Sequence, residues 1–327
     1  MTDQTTSVVV RCYNEERHIG RLLSGLVRQT RTPDQIVVVD SGSTDATVAI
    51  ASRFPVEIHT IQPEEFSFGR SLNIGCRAAT GDLLVFVSAH VYPVYDTWLE
   101  ELTAPFADPA VALTYGRQEG DERTKYSERR VMARWFPATS IPRQDHPFCN
   151  NANAAVRRSV WEVQPYDEEL TGLEDLDWAK RALEAGYALS YVATAPVVHV
   201  HEESWSGIVN RYRREAIAHK RIYRDHSMSA FEAVRLAIGN IASDYVHAAR
   251  DGVLGENLGS IPSFRVAQFL GTYRGFRQRG EESAVLRRRF YYPHGLSRPH
   301  DDRPPPNARP ISYDDADHHG EAHVRTD

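Results

Sequence analysis

The feature that most constrains this 327-residue chain is the rhythm of its first half, where short β-branched runs alternate with stretches of helical period. Residues 7–13 (SVVVRCY) form a continuous apolar run that predicts a buried strand. Residues 15–29 carry Ile19, Leu22, Leu23, Leu26 and Val27 at helical spacing. A second strand follows at 35–40 (QIVVVD), and Ser41-Gly42-Ser43-Thr44 then supplies N-cap residues for a helix from Asp45. A third strand at 56–61, a helix at 69–79 and a fourth strand at 83–88 (LLVFVS) complete the series. Strand and helix in this order predict an α/β fold, a mostly parallel sheet flanked by helices on both faces. Ligands of such sheets sit beyond the carboxyl ends of the strands. That rule singles out Asn14, Asp40 and Ser88-Ala89-His90.

The second half begins with a strand at 111–117 ending in Arg117-Gln118, then an extended NNANAAV at 150–156. A helix opened by Glu174-Asp175 stops at Gly186, and residues 187–192 and 197–201 are extended. From Ser204 the pattern turns helical, at 206–223, 230–249 and 262–279. After Tyr292 a proline-rich, polar and acidic tail (293–327) is expected to be disordered.

Polar MTDQTT runs straight into the first strand, with no secretory h-region, and no apolar stretch approaches the ~18–20 residues of a spanning helix. Cys12, Cys76 and Cys149 are scattered and form no CxxC pair, which argues against a disulfide framework or a cysteine zinc site. A cytoplasmic enzyme is the expectation. The net charge of −6 conceals an asymmetry: residues 1–204 hold 19 Lys and Arg against 29 Asp and Glu, residues 205–298 hold 16 against 8, and the tail 3 against 7. A basic block on an acidic body suits an anionic partner, either a membrane surface or a phosphate-bearing substrate. Solvated arginines on helix faces are the plainer account. No nucleic-acid motif accompanies the block, so nucleic acid is not expected as a partner.

Several residues carry chemistry in this pattern. Asp40 ends a strand before small residues, where a carboxylate accepts hydrogen bonds from a base or ribose; capping the next helix is its competing role. Neither GxGxxG nor GxxxxGK[ST] occurs, so a nucleotide must be held another way. His90 at a strand end suits a divalent metal that neutralises a diphosphate, or else packs under Tyr92 and Pro93. His199 and His201 alternate on one extended run and share a face, so either is able to complete a metal site with His90. Glu174, Asp175 and Asp177 sit in a first helical turn, where acids complement the helix dipole and where a carboxylate also serves as general base. Arg70 and Arg117 are arginines near the strand ends whose forks match phosphate oxygens.

Together these pieces resemble the family 2 glycosyltransferases of GT-A fold. VVVRCYNEE, IVVVDSGSTDAT, GRSLNIGCRAATGDLLVFVSAH and LEDLDWAKRALEAGY occur in the family's order across the first 200 or so residues. SAHVYPVYDTWLEELTAPFADP and YGRQ are similar to the rhamnosyltransferase-like branch. The resemblance implies a Rossmann-like catalytic domain over residues 1–204; the helical, basic extension over 205–292 lies beyond the resemblance and is read from its period and charge. It implies that Asn14 and Glu16 flank the nucleotide, that Asp40 holds the base with Ser41 beside it, and that Asp175, paired with Glu174, is the catalytic base. One of His199 and His201 matches a histidine that helps hold metal and diphosphate. The family's DxD metal motif falls on Ser88-Ala89-His90, which lacks both aspartates and resembles the DxH form of polypeptide GalNAc-transferases. Mn²⁺ or Mg²⁺ is the implied cofactor, with His90 as ligand and Ser88 in a weaker contact. The implied activity is inverting transfer from a UDP-, dTDP- or GDP-sugar to an acceptor hydroxyl. A sugar nucleotidyltransferase would want a glycine-rich basic N-terminal loop, which residues 7–16 lack, and a non-catalytic sugar-nucleotide-binding protein is the further alternative. The helices beyond 204, with Trp205, Arg211, Arg213 and Arg214, are expected to face an acceptor, anionic headgroups at the inner membrane face, or a second copy in a homodimer.

Overall fold

The computed structural model describes residues 4–278, 295–296, 309 and 311–313. The alternation read from the sequence is present as β1 (Thr6–Cys12), α1 (Ile19–Val27), β2 (Gln35–Asp40), α2 (Thr47–Ala51), β3 (Glu57–Thr60), α3 (Phe68–Ala78) and β4 (Leu83–Ser88). After it come β5 (Val91–Pro93), α4 (Trp98–Thr103), β6 (Val111–Glu119), α5 (Tyr126–Trp135), β7 (Ile141–Gln144) and β8 (Asn153–Arg157). Next are α6 (Arg158–Val163), α7 (Glu174–Glu184), β9 (Ala188–His199) and β10 (His201–Glu202). The helical part is α8 (Trp205–Ile222), α9 (Ala230–Arg250), α10 (Leu254–Asn257) and α11 (Ser260–Phe276), and β11 (Gly295–Leu296) returns to pair with β10.

The main sheet runs β3-β2-β1-β4-β8-β6-β9-β5, with β7 on β9. Its first four strands are parallel; β8 then enters antiparallel to both β4 and β6, so the sheet is mixed beyond β4. The order reverses at β1: β2 lies on one side and β4 on the other. Their carboxyl ends diverge there and leave a crevice. Side chains of β1 alternate, Val8 and Val10 joining the apolar layer under α1 and α4, Val9 the layer under α3 and α7. Burial on both faces explains the unbroken valine run.

One polar residue organises the change of strand direction. Asn153 is fully buried; its Nδ2 donates to Arg117 O and Ala195 O (both 2.9 Å), and its Oδ1 accepts from Trp98 Nε1 (2.9 Å). These carbonyls flank the place where β6 and β9 lose register, between Gly116 and Gln118. A Cβ on Gly116 would meet Asn153 Nδ2 at 2.4 Å. The two extended pieces expected at 187–192 and 197–201 are accordingly one continuous strand as far as His199.

α8 and α11 pack at backbone distance, because Cβ atoms at Gly271 and Gly275 would meet the carbonyls of Val209 and Arg213 at 2.4 Å. α9 runs antiparallel to α11, joined by Arg265 Nε to Asp244 Oδ2 (2.7 Å). The tail expected to be disordered is, at its few described residues, docked on the body. The Tyr313 hydroxyl donates to Pro93 O (2.8 Å), Arg309 N–H donates to Asp96 Oδ1 (2.8 Å), and the Tyr313 ring lies 5.3 Å from that of Tyr92. An aromatic ring with a buried hydroxyl acceptor holds this segment despite its polar surroundings in sequence. The remainder of 293–327, like 279–292, lies outside the described residues.

Replacing Asn153 by Ala would strand two carbonyls and an indole N–H inside the sheet. We expect a loss of about 2–4 kcal/mol in urea unfolding, and a loss under about 1 kcal/mol would show that the amide does not hold the strand junction.

Candidate functional site

A cleft of about 690 Å³ opens at the β1/β4 crevice. Of the residues expected to form a site, Asn14, Glu16, Ser41, Ser88, His90, Glu174, Asp175 and His199 line it; Asp40, Arg70 and Ala89 do not. Its floor is a pair of loops stitched together by side chains. Asn14 takes a left-handed conformation (φ 53°), which asparagine tolerates better than most residues. Its Oδ1 accepts from Thr44 N–H (2.8 Å), while its own N–H donates to Ser43 Oγ (2.8 Å). Glu16 N–H donates to Asp45 Oδ2 (3.1 Å), and Glu16 Oε2 accepts from Ala46 N–H (3.0 Å). These bonds occupy the residues before Ile19, where α1 begins, rather than at Glu15 where the helical stretch was expected to open.

Asp40 is 2% exposed and works on its own loop. Its Oδ2 accepts from Gly42 N–H (3.1 Å) and Ser43 N–H (3.0 Å), shaping the turn whose Ser41 borders the cleft. Arg70 points elsewhere, with Glu65 (3.6 Å) and Glu168 (3.8 Å) near its guanidinium on the outer surface. Ala89 is packed in the core and contributes a backbone N–H to Arg11 O (3.1 Å). His201 lies in β10, and its side chain falls outside the described residues.

His90 and His199 are brought together as expected, their rings stacked with centroids 5.1 Å apart. His90 Nδ1 meets Glu15 Oε1 at 2.6 Å and His199 Nδ1 meets Gln118 Oε1 at 2.7 Å. Burial opposes a charge on His90, but the Glu15 carboxylate outweighs it and raises the imidazole above its ordinary pKa. A carboxylate only accepts, so Nδ1 carries a proton, and in the neutral ring Nε2 keeps the lone pair, the orientation in which metal-binding histidines are held. Among the described residues no three His, Cys, Asp or Glu side chains cluster tightly enough to cage an ion. The two imidazoles therefore do not form a closed protein cage; a divalent ion held there would need the rest of its shell from oxygens of a bound molecule.

Asp175 lies in the first turn of α7, after Leu173, whose left-handed φ of 56° costs about 1–2 kcal/mol in a non-glycine residue. Its Oδ1 accepts from Leu176 N–H (2.8 Å) and its Oδ2 from Asn151 N–H (3.1 Å). Burial, reinforced by the neighbouring Glu174 charge, pushes its pKa up to about 7 against the pull of these N–H groups and of Arg11. Glu174 itself faces Arg11 Nη1 at 3.3 Å.

Asn151 had no sequence signal to single it out, whereas Arg211 and Arg214 were among the arginines expected to face an acceptor. Asn151 is 2% exposed and lines the cleft, and its Nδ2 has no hydrogen-bond partner among the described residues. From α8, Arg211 and Arg214 reach the cleft. Arg211 is clamped by Glu203 (2.8 Å) and Glu128 (2.7 Å), and the Arg214 guanidinium lies 4.7 Å over the Phe68 ring. The site thus crosses the boundary expected at residue 204. Arg117 stays out of the cleft, beside Glu119 (3.2 Å).

A crevice at the strand-order reversal of a mixed sheet, with a carboxylate of raised pKa on one wall and paired imidazoles on another, belongs to the GT-A architecture. The model of glycosyl transferase family 2 matches residues 7–163 of this chain. Among curated relatives, the O-antigen chain rhamnosyltransferase RfbN of Salmonella typhimurium is 26% identical over 65% of this chain and 72% of its own length. The O-antigen chain rhamnosyltransferase WbaN of Salmonella anatum is 32% identical over 59% of this chain and 64% of its own. Among solved structures, the mannosyltransferase PcManGT of Pyrobaculum calidifontis, in complex with GDP-Man and Mn²⁺, shares the fold at a TM-score of 0.55. It is 18% identical, over 87% of this chain and 86% of that one.

A carboxyl whose folded pKa stands above its unfolded one favours the folded state at low pH and loses that contribution as pH rises through the folded value. The melting temperature of the wild type should therefore fall between about pH 4 and 7, and Asp175→Asn should flatten that decline in thermal melts. An unchanged slope would place the titrating group elsewhere.

Proposed function

We propose that this protein is an inverting sugar transferase that moves a glycosyl group from a nucleoside diphosphate to an acceptor hydroxyl. The observation that carries the reading is Asp175, an acid near neutrality poised in the same cleft as the strand ends that take nucleotides in such sheets. The names of two relatives rank a deoxyhexose such as rhamnose first as the transferred sugar and a glycan chain first as the acceptor.

In this reading the base and ribose rest on the loops of Asn14, Glu16 and Ser41, with Asp40 holding their shape from beneath. Ser88, His90 and His199 receive the diphosphate. A divalent ion held by those imidazoles would neutralise charge on the departing nucleoside diphosphate. Asp175 removes the proton of the acceptor hydroxyl as its oxygen bonds to the anomeric carbon. The anomeric C–O bond to phosphate breaks on the opposite face, so configuration inverts. Glu174 keeps Arg11 next to the base, and the Asn151 amide offers buried N–H groups to a hydroxyl of either sugar. Three buried, unpaired cysteines suit a reducing compartment, and we place the activity in the cytoplasm.

Asp175→Asn should abolish transfer while donor affinity, measured by calorimetry, stays within a few-fold. A variant retaining more than about a tenth of the wild-type rate would refute the assignment, since general-base catalysis supplies ~10²–10⁴-fold. In the wild type kcat/KM should rise with pH on a limb centred near 7, because the base acts ionised.

For Asn151→Ala we expect kcat/KM to drop about 10- to 100-fold with little loss of melting temperature, because the amide nitrogen has no protein partner and the oxygen forfeits only a long 3.5 Å contact with the Tyr166 hydroxyl. A fall in stability without a kinetic effect would assign the amide to the scaffold.

A further inference from the structure

We propose that the outer face of α9, together with the arginine-rich end of the helical bundle beside it, docks on an anionic lipid surface. This inference does not rest on the transferase reading. α9 turns Ala233, Asp244 and Ala248 towards the bundle and leaves an opposite stripe of Phe231, Val234, Ile238 and Val246 exposed by 78%, 58%, 62% and 50%. Their spacing keeps them within one side of a helix about 31 Å long. Large apolar side chains left so open on one line are a contact surface.

The charge around the stripe identifies the partner. Lys220 Nζ donates to the carbonyls of Phe276 (3.1 Å) and Gln278 (3.2 Å), so α8 and α11 finish together. The antiparallel course of α9 sets Phe231 at that same end. Arg224, Arg235, Arg274 and Arg277 are exposed there, against Asp225 and the half-buried Glu232. A cavity of about 430 Å³ opens between these helices, lined by Arg213, Tyr273, Arg274, Arg277 and Gln278, of a chemistry that takes a phosphate headgroup. A second copy meeting this face would bring arginine against arginine, whereas anionic lipid complements it. Among the described residues no helix is long and apolar enough to cross a membrane. An amphipathic helix of this kind lies in the interface, with its apolar stripe among the acyl chains and its cations at the headgroups. Arg214 and Glu215 of the cleft are about two turns along α8 from this end, some ~11 Å, which brings the cleft near the lipid plane.

The test uses the full chain with vesicles of equal phosphatidylglycerol and phosphatidylcholine, sedimented over a salt series. Binding is expected, weakening as salt rises, and phosphatidylcholine vesicles alone should bind at least about tenfold less. The double variant Phe231→Ser, Ile238→Ser should lower partition at least about tenfold. Arg274→Glu with Arg277→Glu, an independent surface change, should lower it about fivefold or more for each residue. Both sets should leave the circular dichroism spectrum and the rate of donor hydrolysis unchanged. Equal binding to neutral vesicles, indifference of binding to both variants, or a concentration-dependent dimer that Phe231→Ser abolishes in the absence of any vesicle binding would each overturn the proposal.

Discussion

The site depends on three hydrogen bonds made by one buried amide. Asn153 satisfies carbonyls on β6 and β9 at the point where those strands part, and it ties both to the Trp98 indole beneath the sheet. Without it the parting of the strands would leave main-chain groups unpaired in an apolar interior, at about 1–3 kcal/mol each. The parting is useful because beyond it Gln118 and His199 approach each other, and the His199 ring turns to stack on His90. A defect in the ladder of a long strand thereby becomes the means of aiming an imidazole.

A second dependence runs through charge. Arg211 of α8 is buried between Glu128 of α5 and Glu203 before α8, and burial alone would raise the pKa of Glu128 and lower that of the arginine. Each ion is tolerable only because the others are present, so removing one partner leaves an uncompensated buried charge. The helices beyond residue 204 are therefore built into the wall of the cleft rather than appended to it. Arg214 carries the same logic one turn on, its guanidinium spread over Phe68 while Arg11 approaches the same ring at 5.2 Å.

The parallel half of the sheet was legible because strands buried on both faces must be uninterrupted runs of valine and leucine, and β1, β2 and β4 are such runs. The antiparallel entry of β8 was not, since NNANAAV carries no information on direction and its partners lie about 40 and 70 residues away. Motif positions located Asn14, Ser88, His90 and Asp175 in the cleft because each follows a strand or opens a helix. Arg70 was misplaced for a simple reason: arginine near a strand end has the reach to go either way, and two surface glutamates draw it outward. Glu15, Gln118 and Asn151 escaped attention because their roles come from partners distant in sequence.

The docking of Tyr313 has a consequence for biosynthesis. Its ring fills a slot formed by Gly25, Arg21 and Tyr92, and a Cβ on Gly25 would strike the phenol oxygen at 2.3 Å. A ribosome delivers the slot some 220 residues before the side chain that closes it. The first βα units thus leave the exit tunnel with this notch open to any chaperone or hydrophobic neighbour, and the seam is sealed only once residue 313 has been translated.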